Sequence, residues 1–154
     1  MNGERIRLTI ADKVARITFV NPAKYNAMDQ KFCHEFGQAA LACEIDTTIQ
    51  AIVIQAEGDV FSPGGDITDF VAHKDHVHGH VLDMATQIHI GVLSLRRAPA
   101  PVIAAVNGMC AGGAFSLIAG ADVVIAKKSA KFNAAFTRSG LTPDAGGKIG
   151  RAHV

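Results

Sequence analysis

Hydrophobic and polar residues alternate from Ile6 to Ile10 and again from Val14 to Val20, with Ala11-Asp12-Lys13 between the two runs. Alternation on both sides of a short polar break predicts a β-hairpin with one buried face, placed at the edge of a sheet. Asn21-Pro22 ends the second strand. Beyond it, Phe32, Phe36, Ala39, Ala40 and Cys43 recur at helical spacing behind Asp29, whose carboxylate can accept the free N–H groups of a first helical turn. Ala51 to Ile54 is apolar without interruption, the pattern of a strand covered on both faces. Val81, Met84, Ala85, Ile88, Val92 and Leu95 again fall every three or four positions and end at Arg96-Arg97, which complement a helix C-terminus. That segment predicts an amphipathic helix from Val81 to Arg97.

Residues 98 to 121 carry no charge. A stretch of that length could cross a membrane, yet Pro99, Pro101, Asn107 and several glycines interrupt it and Asp122 follows at once, so a buried strand and helix explain it better. Within it, Val102 to Val106 is a β-branched run, Asn107-Gly108 a turn, and Gly112-Gly113 lead into an apolar helix through Phe115, Leu117 and Ile118. Asp122 to Ala126 predicts a further strand. A second glycine loop, Phe61-Ser62-Pro63-Gly64-Gly65-Asp66, follows the strand at 51–54, and Asp66 is placed to cap a short helix from Ile67 to Phe70. Strands alternating with helices make this an α/β chain. Glycines where a strand hands over to a helix let the backbone approach a ligand and present free N–H groups to an anion or oxyanion. Taken alone, one such loop reads first as a turn that lets helix and strand pack closely.

Composition narrows the function classes. The 154 residues are 49% hydrophobic, enough for one domain with a substantial core. Fifteen basic against fourteen acidic side chains give a net charge of +1, and no basic run suggests a nucleic-acid or membrane partner. Cys33, Cys43 and Cys110 lack CxxC spacing and sit in apolar segments, which predicts buried reduced thiols. MNGERIRLTI has no signal-peptide pattern, so a cytoplasmic protein is expected, with mitochondrial and peroxisomal locations left open. His73, His76, His78 and His80 crowd one stretch, but their spacing fits neither a continuous helical pair nor a zinc finger; a solvated loop without a metal is expected. His89 lies beside the Ile88 stripe, where a packed, hydrogen-bonded histidine is expected.

Four segments carry a family resemblance. NPAKYNAMD at 21–29, FSPGGDI at 61–67, PVIAAVNGMCAGGAFSLIAGADVVIA at 101–126 and AKFNAAFTRSGLTPDAGG at 130–147 resemble, in order and spacing, the enoyl-CoA hydratase/isomerase (crotonase) family. The resemblance implies one domain over residues 1–154 with the ClpP/crotonase fold, a spiral of β-β-α units, lacking the C-terminal helices of a complete member. It implies an acyl-CoA thioester substrate, coenzyme A arriving as part of the substrate and no separate cofactor. A complete member would be a homotrimer or hexamer.

The same resemblance assigns the oxyanion N–H groups to Gly65 and Gly113 and places Lys24 near the CoA phosphates. Ser62, Pro63, Asp66 and Ile67 join them as thioester-binding positions. Family hydratases use two glutamates, and the matching places here read Ser116 and Phe136, which makes hydration by the usual route doubtful. Asp144, in Leu141-Thr142-Pro143-Asp144-Ala145-Gly146-Gly147, matches the PDxGG branch that contains the phenylacetate-pathway isomerase, where this aspartate is the general acid/base. Read from its neighbours alone, Asp144 is a turn former. His89 stands twelve residues before Pro101, where the chlorobenzoyl-CoA dehalogenases have a catalytic histidine, although the tryptophan near their aspartate is missing because the chain has no Trp. An isomerase is therefore expected. The alternatives are a hydratase, a dehalogenase and a non-catalytic acyl-CoA-binding remnant. After Gly147 the segment Lys148 to Val154 departs from the family pattern.

Overall fold

A computed structural model describes residues 1–136, 140 and 142–147. Lys148 to Val154, Leu141 and residues 137–139 of the last family motif lie outside the described residues. The hairpin forms as expected: β1 (Ile6–Ala11) pairs antiparallel with β2 (Val14–Phe19), and Asp12 and Lys13 both take positive φ in the turn. β2, β3 (Ala51–Ala56), β5 (Val102–Val106) and β7 (Val123–Ala126) then continue in parallel, in the sheet order β1-β2-β3-β5-β7. β1 is the edge. Register aligns Leu8, Ile17, Ile54 and Ala104 across four strands, and all four are buried.

A second, three-stranded parallel sheet holds β4 (Val60–Ser62), β6 (Met109–Ala111) and β8 (Phe132–Asn133). Each turn of the spiral therefore contributes one strand to each sheet before its helix: β3-β4 leads to α2 (Ile67–Ala72), and β5-β6 leads to α4 (Gly113–Ala119). The strand, turn, helix reading of residues 101–121 is corrected in one respect, because β6 stands between the Asn107-Gly108 turn and α4. Three residues are too few for a periodicity to appear.

α1 (Gln30–Ile45) packs against α3 (Val77–Arg97). Asp29 caps α1, one carboxylate oxygen accepting from the Phe32 N–H at 2.8 Å while the other accepts from Arg5 Nε at 2.7 Å. Asp29→Ala should therefore cost about 1–2 kcal/mol, a helix cap and a partly buried ion pair together, read as a lowered denaturant midpoint at constant slope. Phe19 joins the layers: its ring meets Phe32 of α1 at 4.8 Å and Phe61 of β4 at 5.1 Å. Phe61 is fully buried, so the glycine loop that follows it starts from a fixed point.

Two expectations change. Of the run at 51–54 only Ile52 and Ile54 are fully buried; Ala51 and Val53 are half-buried, and β7, beyond β5 at the end of the sheet, is exposed along its length, so among the described residues one face of the sheet is well covered and the other is not. The histidine stretch is not a loop. A 3-10 turn covers Lys74–His76, and α3 starts at Val77, four residues earlier than the apolar stripe indicates. Tertiary contact overrides the weak local signal there, since His80 is buried and paired with Asp69 of α2. All three cysteines are free and buried as expected; burial pushes the Cys33 and Cys110 thiols up to about 12 and Cys43 up to about 11, which leaves no thiolate nucleophile among them at neutral pH.

Candidate active site

The two glycine loops meet at the ends of β4 and β6. In the first, the Ser62 hydroxyl, fully buried, accepts from the Gly64 N–H at 3.2 Å, and Asp66 caps α2 by accepting from the N–H groups of Thr68 (2.9 Å) and Asp69 (3.3 Å). Met28 forms a parallel bridge to Gly65: the Met28 N–H donates to the Gly64 carbonyl at 2.8 Å, and the Asp66 N–H donates to the Met28 carbonyl at 3.0 Å. In extended backbone the polar groups of successive residues point to opposite sides. Since Gly64 C=O and Asp66 N–H both face Met28, the Gly65 N–H points away from it.

The second loop turns at Gly112, whose φ of 53° and ψ of −129° suit only glycine, and it is anchored by the Gly112 N–H donating to the Asn133 carbonyl at 3.0 Å. Gly113 is the first residue of α4, so its own N–H has no partner within the helix. The loops touch. A Cβ added to Gly64, at φ 92°, would stand 2.8 Å from the Ala111 carbonyl oxygen and 3.1 Å from the Gly113 nitrogen. Among the described residues no hydrogen bond within the chain takes the N–H of Gly65 or of Gly113.

Asp144 comes to the same place from the far end of the chain. It sits in a turn closed by the Gly147 N–H donating to the Asp144 carbonyl at 2.8 Å, and its Oδ1 lies 3.8 Å from where a Cβ on Gly113 would be, with the Met28 sulfur 3.4 Å from that point. The residue as a whole is exposed, but its carboxyl leans into this apolar corner. Partial desolvation raises its pKa above the usual carboxylate range, and the charge of nearby His89 pulls it back only in part. His89 is exposed on α3, not packed into the core as expected, and it reaches Asp144 through its field.

The remaining candidates gather round this centre. Lys24 Nζ lies 4.0 Å from Asp66 Oδ2, so the N-terminal segment and the first glycine loop share one surface; Ile67 beside them is 68% exposed, available to a ligand. Pro63 is half-buried between Ser62 and Gly64. Ser116 is buried against Gly147, a Cβ on which would fall 2.3 Å from the Ser116 hydroxyl, and Phe136 is buried, so neither matching place offers a carboxylate. Sequence reasoning missed Met28 and Phe70, the ring that stands 2.9 Å from a Gly65 Cβ position. Neither belongs to a periodic pattern. A cleft of about 280 Å³ opens at the other end of β5, between Leu95, Pro99 and Asp122, away from the glycine loops.

Residues 9–151 match the model of the enoyl-CoA hydratase/isomerase family. This chain belongs to that family. Its relatives include the trans-2-decenoyl-[acyl-carrier-protein] isomerase of Streptococcus mutans, 32% identical over 96% of this chain and 56% of that protein. Another is the 1,2-epoxyphenylacetyl-CoA isomerase of Escherichia coli K12, 33% identical over 87% of this chain and 52% of the relative. Among solved structures, the enoyl-CoA hydratase of Polaromonas sp. JS666 superposes with a TM-score of 0.83 at 33% identity, covering 92% of this chain and 55% of that one. The fold is the crotonase fold of the family, and the chain spans about half the length of the relatives it matches. No helix among the described residues is long and apolar enough to cross a membrane.

Proposed function

We propose that this enoyl-CoA hydratase/isomerase family chain carries the core of an enoyl-thioester isomerase, in which the N–H groups of Gly65 and Gly113 hold the thioester oxygen and Asp144 moves the proton. The observation that carries the reading is the approach of the Asp144 carboxylate to the Gly113 backbone, 3.8 Å from the missing Cβ, with no second carboxylate at Ser116 or Phe136. Two preorganised donors stabilise the enolate where its charge develops, each worth on the order of 3 kcal/mol in enzymes generally. Asp144, ionised, takes the α-proton of a 3-enoyl thioester; the electron pair shifts through the dienolate, and the same carboxyl returns the proton to the γ-carbon. Proton count and charge balance, and one carboxylate suffices. Lys24 and the exposed Ile67 at the lip of the first loop are the proposed contacts for the coenzyme A portion, with Ser62, Pro63 and Asp66 shaping the loop between them.

The test is product analysis with pure protein. Conversion of 3-enoyl-CoA to 2-enoyl-CoA is expected, with crotonyl-CoA hydrated slowly or not at all, because hydration needs a second group to activate water. Rapid formation of 3-hydroxybutyryl-CoA would overturn the reading. A dehalogenase reading draws on one observation, the field of His89 at Asp144. In that chemistry the aspartate attacks the chlorine-bearing aryl carbon, chloride leaves with the electron pair of its bond, and the histidine activates water against the resulting ester, so both are indispensable. Isomerisation should survive His89→Gln with only a moderate loss, whereas an aryl adduct on Asp144 after incubation with 4-chlorobenzoyl-CoA, seen by mass spectrometry, would decide for the dehalogenase.

A further inference from the structure

Beyond the first glycine loop, three metal-binding side chains, one carboxylate and two imidazoles, converge where α2 meets α3. Asp69 lies in the first turn of α2, His73 is the residue that ends that helix, and His80 projects from the start of α3. His80 Nε2 is 2.7 Å from Asp69 Oδ2, and His73 Nδ1 is 3.4 Å from Asp69 Oδ1 and 2.8 Å from the Asp69 carbonyl oxygen. The two imidazoles stack with centroids 3.9 Å apart and planes 12° from parallel. One donor atom from each of the three residues lies within 4.8 Å of the others. His80 is only 8% exposed, Asp69 is half-buried and His73 is exposed, so the group is walled by protein on one side and open to water on the other.

We propose that Asp69, His73 and His80 bind one divalent transition-metal ion of the zinc class. Two imidazole nitrogens and a carboxylate oxygen form a donor set suited to zinc and its first-row neighbours and poor for calcium or magnesium, which want oxygen ligands. Ligands at about 2.0–2.2 Å around a tetrahedral ion stand roughly 3.3–3.5 Å from one another. The Asp69–His73 separation of 3.4 Å already has that value, and the Nδ1 proton that His73 gives to the Asp69 carbonyl is released when the nitrogen takes the ion. The exposed His73 ring, at a helix end, turns out of its stack on His80 to close the widest separation by roughly an ångström, and the half-buried Asp69 carboxylate shifts to open the 2.7 Å pair. Water completes the coordination on the open side.

Such an ion would pin α2 to α3. α2 is capped by Asp66 and carries Phe70 against Gly65, so the clamp bears on the element that covers the first glycine loop. The inference rests on the placement of these side chains alone and is independent of which reaction the glycine loops serve.

Chelator-treated protein titrated with Co²⁺ at neutral pH, followed by its visible absorption and then by displacement with Zn²⁺, tests the site. The expected result is one equivalent bound tightly, with Zn²⁺ raising the unfolding temperature. His73→Gln, an exposed position that leaves the fold intact, should weaken binding at least about 10- to 100-fold, as should His80→Gln if it folds. The double variant His76→Gln/His78→Gln should bind as the unmodified protein does, which separates the cluster from incidental surface histidines. The proposal is overturned if Co²⁺ gives no visible band, or if His73→Gln binds with unchanged affinity; the three residues are then an ion pair and a ring stack that only fasten α2 to α3.

Discussion

Asp144→Asn is expected to lower turnover of a 3-enoyl thioester about 10²- to 10⁴-fold while leaving acyl-CoA binding nearly unchanged. The amide keeps the size and much of the hydrogen bonding of the carboxylate but cannot accept and return a proton. Unfolding should not contribute, and the sign of the pKa shift says why. Asp144 has a pKa raised in the folded state, first by desolvation. A raised carboxyl contributes stability while protonated, at low pH, and that contribution is lost as pH rises through the folded value. At neutral pH the ionised, partly desolvated carboxylate is thus a small cost to folding, so Asp144→Asn should melt no lower than the unmodified protein. The same shift predicts the pH profile. A base must be ionised, so turnover should rise with pH along a limb above the usual aspartate range, and His89→Gln, which removes the opposing influence, should move that limb further up.

Gly64→Ala is the second large effect. Gly64 has φ 92°, a backbone conformation that L side chains rarely adopt, and its new Cβ would press 2.8 Å from the Ala111 carbonyl and 3.1 Å from the Gly113 nitrogen. Both obstacles are backbone, so neither can swing aside. Strain and overpacking together should cost roughly 2–4 kcal/mol of stability. Because the clash lies between the two loops, it would also spread the Gly65 and Gly113 donors, and turnover should fall about 10²- to 10³-fold, the loss of one oxyanion donor. Gly79→Ala provides the contrast. A Cβ there meets nothing within 4 Å on α3, and the change should stabilise by about 0.5–1 kcal/mol through helix propensity alone. Denaturant unfolding of both variants, with activity at equal folded fraction, checks the pair.

The elements that were legible in the sequence are those whose cause is local. Alternation on both sides of Asp12-Lys13 declares the hairpin, and Asp29 ahead of Phe32 and Phe36 declares a capped amphipathic helix, because the cap and the stripe are a few residues apart. The glycine pairs at 64–65 and 112–113 announce loops for the same reason. β4 and β6, with three residues each, show no period, and their pairing joins segments far apart in the chain. The start of α3 was hidden because His80 reads as polar by itself; only its partner Asp69, eleven residues back, makes its burial tolerable. The candidate site divides in the same way. Gly65, Gly113 and Asp144 were found by resemblance to family motifs, whereas the Met28 bridge that aims the Gly65 N–H, and the contact of Gly64 with Gly113, depend on strands and loops brought together only by folding.

Exchange of α-protons for deuterium, with a non-isomerisable acyl-CoA bound in deuterated water, tests most directly the claim that Asp144 is the base beside a two-N–H oxyanion site. The unmodified protein should exchange the α-position rapidly and Asp144→Asn should exchange it at least about 100-fold more slowly at equal occupancy. Equal exchange rates in the two proteins would contradict it, and Asp144 would then be only the turn former that its neighbours Pro143 and Gly146 suggest.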